Sequence, residues 1–554
     1  MNYTPDMKAS MERVRASRAE RLARARQGDH VPALSLVDRG ILLREFHPDY
    51  RDDARREVKV GPNAGDQLPN EVVSLLHAGP RIDINEAQAW LESPEVETDV
   101  LILGGGGAGA AAAIAAGRGG AKVVLATKLR FGDSNTVMAE GGIQVADQEA
   151  DSPIDHFLDI MGGGHFTNVP ELVEALVSDG PKVLAWLEQA GMLLDKYPTG
   201  RMKARHGGGT SRKRLHSAGD MTGLELMRVV KDEALALGDR LRVLEYCPAV
   251  ELLTDEAGQC CGAVMVNLAT GHRFVVKARA VILATGGFGR LHIQGFPTSN
   301  HYGATADGLV MAYRAGAKLT HLRYAQYHPT GIAFPGQSVG LLVTEKVRGL
   351  GAQIVNIEGK EFVFALEPRD VTTAALIREC AGGGGVTTPG GQVGVWLDSP
   401  IIDLIHGEGT IRKELPGKYL EFMRHGIDIT KDPILVYPTL HYQNGGLTID
   451  PQGATTVAGL YACGEVTGGI HGDNRLMGNA LLEIMVYGQR AGAAAARYVV
   501  SHASGKPGLG HLAAYLEGLK SNQAAEGRLA PMLLPDYRPG PLAVDDLPGT
   551  ALPC

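Results

Sequence analysis

Two stretches of this chain carry residue types and spacings that imply chemistry. The first is GGIHGDNRLMGNALL, Gly468 to Leu482, where Arg475 stands between a glycine-rich turn and the start of an apolar helix. An arginine in such a turn presents a planar fork that matches a carboxylate. The second is TDVLILGGGGAGAAAAIAAGRGGAKVVLATK, from Thr98. Gly104, Gly106 and Gly109 fit G-x-G-x-x-G, set between the apolar strand Val100–Leu103 and a helix of small residues. The first glycine makes the tight turn, the second lets backbone approach a pyrophosphate, and the third lets helix lie on strand. The helix N-terminus then faces the phosphates. A second strand of this kind usually ends in an acid that holds a ribose; here it ends at Thr127 and Lys128, which disfavours NAD. Lys128 either touches ribose or adenine or is a solvated lysine at a strand end.

The elements that must position these residues belong to a large soluble protein. The chain has 554 residues, enough for two or three domains. It is 44% hydrophobic and 21% charged, and its net charge of −8 offers no general attraction to nucleic acid. The 73 glycines cluster in short runs without a period, which excludes collagen and points to tight turns or backbone packed close to a ligand. The six cysteines (247, 260, 261, 380, 463 and 554) include no CxxC pair, so no zinc or iron–sulfur cradle and no metal site is expected. A reducing compartment, hence a cytoplasmic location, is the default. No apolar run approaches the ~20 residues that span a bilayer.

Five regions are expected. Residues 1–95 form an N-terminal extension. Its first part, Met7 to Arg26, is helical in character, with six arginines from Arg13 onward; it is either a solvated helix face or an arm that docks an acidic partner. Residues 96–320 start with the strand–glycine–helix unit. They continue through helical patterns, with an apolar face at Leu224, Met227, Val230 and Ala234. Short strands then run over 242–285, turn at Asp255–Gly258 and Thr270–Gly271, and end in ARAVILATGGFG. An early G-x-G-x-x-G paired with a late ATGG is the pattern of a two-segment FAD-binding domain. Residues 321–437 read as an insertion, 438–502 as the returning segment with a final helix near 479–502, and 503–554 as a short Pro/Gly-rich tail.

From about Thr98 to Val500 the chain resembles the flavoprotein subunits of succinate dehydrogenase and fumarate reductase, with L-aspartate oxidase as a close relative. The resemblance rests on SNTVMAEGGI (Ser134–Ile143), RLHSAGDMTG (Arg214–Gly223), YHPTGI, LLVTEKVRGLG, EPRDVTTAAL, PTLHYQNGG and the Arg475 stretch, in the family's order. It implies an α/β fold: a two-segment Rossmann-like FAD-binding domain with an inserted α+β capping domain, to which this chain adds an atypical N-terminal extension. Membrane-bound members have a histidine bonded covalently to the flavin where this chain has Asn135, so FAD is expected to be non-covalent. The cofactor would be held by Gly104, Gly106, Gly109, Lys128, Asn135, Gly141, Gly142, Asp307, Glu465, Asn479 and Leu481, with the helix that starts at Asn479 turning its dipole to the reduced flavin. Gly219 and Met221 depart from the family in RLHSAGDMTG, which leaves that wall of the site open.

The resemblance further implies a dicarboxylate site. Arg475 and His441 would hold one carboxylate, His328 and Thr344 the other, and Arg369 would give the proton. A guanidinium is a weak acid, so the drive must come from the carbanion-like substrate. Glu345 and Arg348, three residues apart, would reprotonate Arg369 from solvent. The leading expectation is fumarate reduced to succinate, or the reverse, with electrons from an iron–sulfur or NAD(P)H-oxidising partner subunit. Alternatives are an L-aspartate oxidase forming iminoaspartate, reduction of another unsaturated acid, and a non-catalytic electron-relay or assembly subunit. Because His328, Thr344, Glu345, Arg348 and Arg369 fall on the insertion and Arg475 does not, closure of the insertion over the flavin is expected.

Overall fold

The computed structural model describes residues 3–29 and 31–535. The expected dinucleotide unit is its centre. Val96–Leu103 is a strand whose last four residues are all buried, and it runs through Gly104 into the helix Gly107–Arg118. Gly104 has φ +123°, a conformation that favours glycine. A Cβ on Gly109 would overlap the Gly104 carbonyl oxygen, so helix and strand can meet only over a glycine.

Seven strands make the main sheet. Six follow one another in the order Leu241–Leu244, Val123–Ala126, Val96–Leu103, Arg273–Leu283, Cys260–Val266, Ala249–Thr254. The first four are parallel, and the last two join antiparallel. The seventh, Leu460–Ala462, pairs in parallel with the end of Arg273–Leu283, which brings the second segment back beside the first. Covering this sheet, Asn479–Ser501 lies against Gly107–Arg118, and a Cβ on Gly488 would come 2.7 Å from the Ala108 carbonyl oxygen. The apolar face expected on Thr222–Leu235 forms at Met227, Val230 and Ala234, joined by Leu226 and Val229. Leu224 is instead 51% exposed, because the buried stripe is centred between Leu226 and Val230 and Leu224 lies outside it.

The insertion has a core of its own. Ala325–Ile332, Ile434–Gln443, Val393–Asp398 and Gln353–Val355 form an antiparallel sheet, in that order, packed on the helix Arg369–Ala381. Val355, Val371, Trp396 and Val436 sit at its centre. Ala325–Ile332 and Ile434–Gln443 are the entry and exit strands and lie side by side, so His328 and His441 leave the insertion close together.

The N-terminal extension folds onto both bodies. Its first helix, Pro5–Arg26, buries Met7, Met11 and Val14 in the insertion's core. Two of its arginines turn inward: Arg18 (2.6 Å) and Arg21 (2.7 Å) pair with Asp398, which is fully buried. Further on, Asp49 accepts the Ala325 N–H at 3.1 Å, and Ala78–Pro80 pairs with Glu526–Ala530. The tail is thus more than a Pro/Gly-rich coil, since it carries the helix Gly510–Ser521 and this strand; the remainder of it, 536–554, lies outside the described residues. No described helix is long and apolar enough to cross a membrane.

Candidate active site

One continuous cavity of about 510 Å³ runs from the glycine turn at Gly104–Gly107 to the underside of the insertion. Of the residues expected to hold a cofactor, Gly104, Gly106, Lys128, Asn135, Gly141, Gly142, Asp307, Glu465 and Leu481 line it. Gly109 does not; it serves the helix–strand contact. Asn479 opens the helix at the cavity's edge, but its side chain turns into the core, where its Oδ1 meets His156 Nε2 at 3.0 Å.

The lining residues are braced against one another. Lys128 Nζ donates to Asp307 at 2.6 Å and to Thr305 at 2.5 Å. Asn135 Nδ2 donates to Asn300 (2.7 Å) and Glu465 (3.2 Å), while its Oδ1 accepts the His301 N–H at 2.5 Å. Burial pushes Glu465 up to about 7. Met138, Met221 and Leu224 are partly exposed apolar side chains on the same wall. Beside Met221 the wall is completed from the insertion: Asp220 accepts the N–H groups of Gly417 (3.1 Å) and Lys418 (2.9 Å), and Lys418 Nζ pairs with Glu140 at 2.6 Å.

At the far end of the cavity the structure brings together His328, Thr344, Glu345, Arg369, His441 and Arg475. The two imidazoles meet edge to face at 5.2 Å between centroids. His328 Nδ1 lies 3.3 Å from the Thr330 amide nitrogen and 3.2 Å from Thr330 Oγ1. Its Nε2 is buried with no partner among the described residues, which leaves it free for a ligand. Burial, then Arg369, keeps both His328 and His441 well below the usual histidine range, so they are neutral. His441 Nδ1 lies 2.7 Å from Ser299 Oγ.

Arg369 is the first residue of Arg369–Ala381. Its Nε donates to Glu345 Oε2 at 2.9 Å and its Nη1 to Gln326 Oε1 at 2.8 Å. Glu345 also takes Arg348 at 3.4 Å and the Gly208 N–H at 2.7 Å. Burial works against the Glu345 charge, but Arg369 and Arg348 together hold this carboxyl below its usual range. Arg348 does not line the cavity and is 2% exposed, so it does not itself reach solvent. Arg475 donates to Gln326 Oε1 at 2.9 Å and stacks 4.2 Å over the Tyr442 ring. The Tyr442 hydroxyl donates to Glu483 at 2.6 Å. Burial and the facing Arg369 bring Arg475 down to about 10, still a cation at neutral pH.

Gln326, Tyr442, Ser299 and Glu483 are absent from the expected set. Gln326 had a signal: it lies two residues before His328, hence on the same face of a strand. Tyr442 directly follows His441 in PTLHYQNGG. Ser299 and Glu483 come from a loop and a helix whose approach depends on the fold.

A glycine-cradled cavity that leads to a cluster of buried arginines and histidines fits an FAD-dependent oxidoreductase, and the glycines that no side chain could replace fit that cofactor. Residues 99–481 match the FAD binding domain family, so the chain belongs to it. Within it, the relatives place this chain among the flavoproteins of the succinate dehydrogenase, fumarate reductase and L-aspartate oxidase group. A subunit of the CoM/CoB fumarate reductase of Methanothermobacter marburgensis is 38% identical over 74% of this chain and 74% of its own. L-Aspartate oxidase of Streptomyces coelicolor is 35% identical over 74% and 70%. Among solved structures, FrdA of Escherichia coli quinol fumarate reductase superposes with a TM-score of 0.69 at 32% identity, covering 77% of this chain and 74% of that one.

Proposed function

We propose that this protein reduces fumarate to succinate, with Arg369 as the proton donor. The observation that carries the reading is the pair of arginines facing each other across Gln326, with two neutral histidines beside them. Arg475 and His441 take one carboxylate of the substrate; His328, through Nε2, and Thr344 take the other. FAD, bound non-covalently beside Asn135, would supply the hydride to one alkene carbon. Arg369 holds a proton toward the other alkene carbon, whose electron pair would take it up as the C–H bond forms. The guanidine left behind regains its proton through Glu345, with Arg348 behind it. Contacts between the insertion and the flavin-binding domain, among them Gly208 with Glu345 and Arg205 with Glu414, keep water from the reduced cofactor.

L-Aspartate carries an ammonium and needs an acceptor in the site. Glu345 is already the counter-charge of Arg348 and Arg369, and burial works against the charge on Glu465. This favours fumarate over aspartate. Two relatives are named as subunits, which supports a partner that delivers electrons, iron–sulfur or NAD(P)H-oxidising, in a cytoplasmic complex. The test is a reduced-viologen assay of the flavin-loaded protein with fumarate, and anaerobic addition of L-aspartate to the oxidised protein. Fumarate-dependent viologen oxidation without bleaching by aspartate is the expected result.

A further inference from the structure

Next to Arg369 stands Asp370, 7% exposed, and its Oδ2 meets the Nε2 of His165 at 3.0 Å. The two residues belong to different bodies. Asp370 is the second residue of Arg369–Ala381 in the insertion, whereas His165 follows the helix Pro153–Gly163 of the flavin-binding domain. The other side-chain bonds of this helical turn stay inside the insertion: Thr372 Oγ1 donates to the Glu367 and Pro368 carbonyls, and Thr373 Oγ1 to the Tyr327 carbonyl. Asp370 Oδ1 accepts the Val371 N–H at 2.9 Å, so the carboxylate is itself tied to the helix start.

The loop that presents His165 is strained. His165 has φ +60° and Phe166 has φ +59°, two consecutive non-glycine residues in the left-handed region. Such conformations cost on the order of 1 kcal/mol or more each and persist where the surroundings impose them. The turn closes the end of Pro153–Gly163, with the Phe166 N–H donating to the Met161 carbonyl at 2.7 Å and the Thr167 N–H to the Gly164 carbonyl at 3.2 Å. In that turn His165 is presented to Asp370.

We propose that His165 is a positioning residue: through Asp370 it ties the first turn of Arg369–Ala381 to the flavin-binding domain and so fixes the Arg369 guanidinium relative to the substrate. This rests on Arg369 being the proton donor. The bond to Asp370 raises His165 above the ordinary histidine range, so the charged pair is present at low pH and is lost as pH rises through that raised value. Other titratable groups face the pair: Asp473 from the second flavin-binding segment faces His165, while Tyr50 and His47 of the N-terminal extension face Asp370, His47 being held down to about 4 by burial, with Arg55 beside it.

The test compares the flavin-loaded wild type with His165→Asn, since asparagine tolerates positive φ, and with Asp370→Asn and the double variant. His165→Asn is expected to retain FAD, to lower kcat for fumarate about ten- to a hundredfold with KM little changed, and to lack the alkaline fall of kcat expected of the wild type. The double variant is expected to be no worse than the more impaired single variant. Hydrogen exchange over residues 368–376 is expected to quicken in either single variant. Wild-type kcat, pH profile and exchange in His165→Asn would overturn the proposal. Should the wild type not reduce fumarate, the proton-donor reading fails, and exchange alone decides whether the tie exists.

Discussion

The amide oxygen of Gln326 accepts a hydrogen bond from Arg369 at 2.8 Å, and the same oxygen accepts one from Arg475 at 2.9 Å. One neutral group therefore orients two cations that reach the cavity from different bodies. Its Nε2 is pinned in turn by the Arg475 carbonyl (2.6 Å) and Asn474 (3.1 Å). With Nε on Glu345 and Nη1 on Gln326, the Arg369 fork is fixed in plane and direction. Gln326→Leu should keep FAD and lower fumarate turnover about a hundredfold, raising KM as well because Arg475 loses the same partner. Steady-state kinetics with reduced viologen measures both.

Glu345 is the counter-charge of two buried arginines. Glu345→Gln leaves Arg348 and Arg369 without it, and breaking a buried pair costs roughly 3 kcal/mol or more. The variant should lose activity and also unfold at clearly lower urea than the wild type.

Asp49 gives a pH signature unrelated to catalysis. Burial pushes this carboxyl up to about 8. Unfolded, it titrates near ~4, so between these values the folded state binds the proton more tightly and stability falls as pH rises. Asp49→Asn keeps an acceptor for the Ala325 N–H and removes this dependence. Its stability advantage over wild type should grow from pH 4 to pH 8 and then level off, reaching on the order of a few kcal/mol in urea titrations.

Gly109→Ala should abolish flavin binding, since its Cβ has no room beside the Gly104 carbonyl. The purified variant should be colourless. From the wild type, acid precipitation should release all the flavin into the supernatant, as Asn135 offers no covalent link.

The glycine cradle was legible because G-x-G-x-x-G encodes its geometry in its spacing. His328, Thr344, Glu345, Arg348 and Arg369 were legible only through the resemblance carried by YHPTGI, LLVTEKVRGLG and EPRDVTTAAL. What escaped depends on pieces far apart in sequence. Gln326 matters only because Arg475, 149 positions later, is folded against it. His165 and Asp370 stand 205 positions apart, one in each body. The arginines of Pro5–Arg26 looked like a solvated or partner-facing row, yet Arg18 and Arg21 close on Asp398, more than 370 residues on. The tail's strand was hidden for the same reason, since Glu526–Ala530 is defined by its pairing with Ala78–Pro80.

The central claim is that Arg369 delivers the proton to a fumarate held by Arg475, His328 and His441. Fumarate-dependent oxidation of reduced viologen by flavin-loaded wild type and Arg369→Ala tests it most directly. The account predicts turnover by the wild type and a loss of at least about a thousandfold in the variant, with its FAD content unchanged. Turnover retained in Arg369→Ala, or a wild type inert to fumarate whose flavin is bleached by L-aspartate, would contradict it.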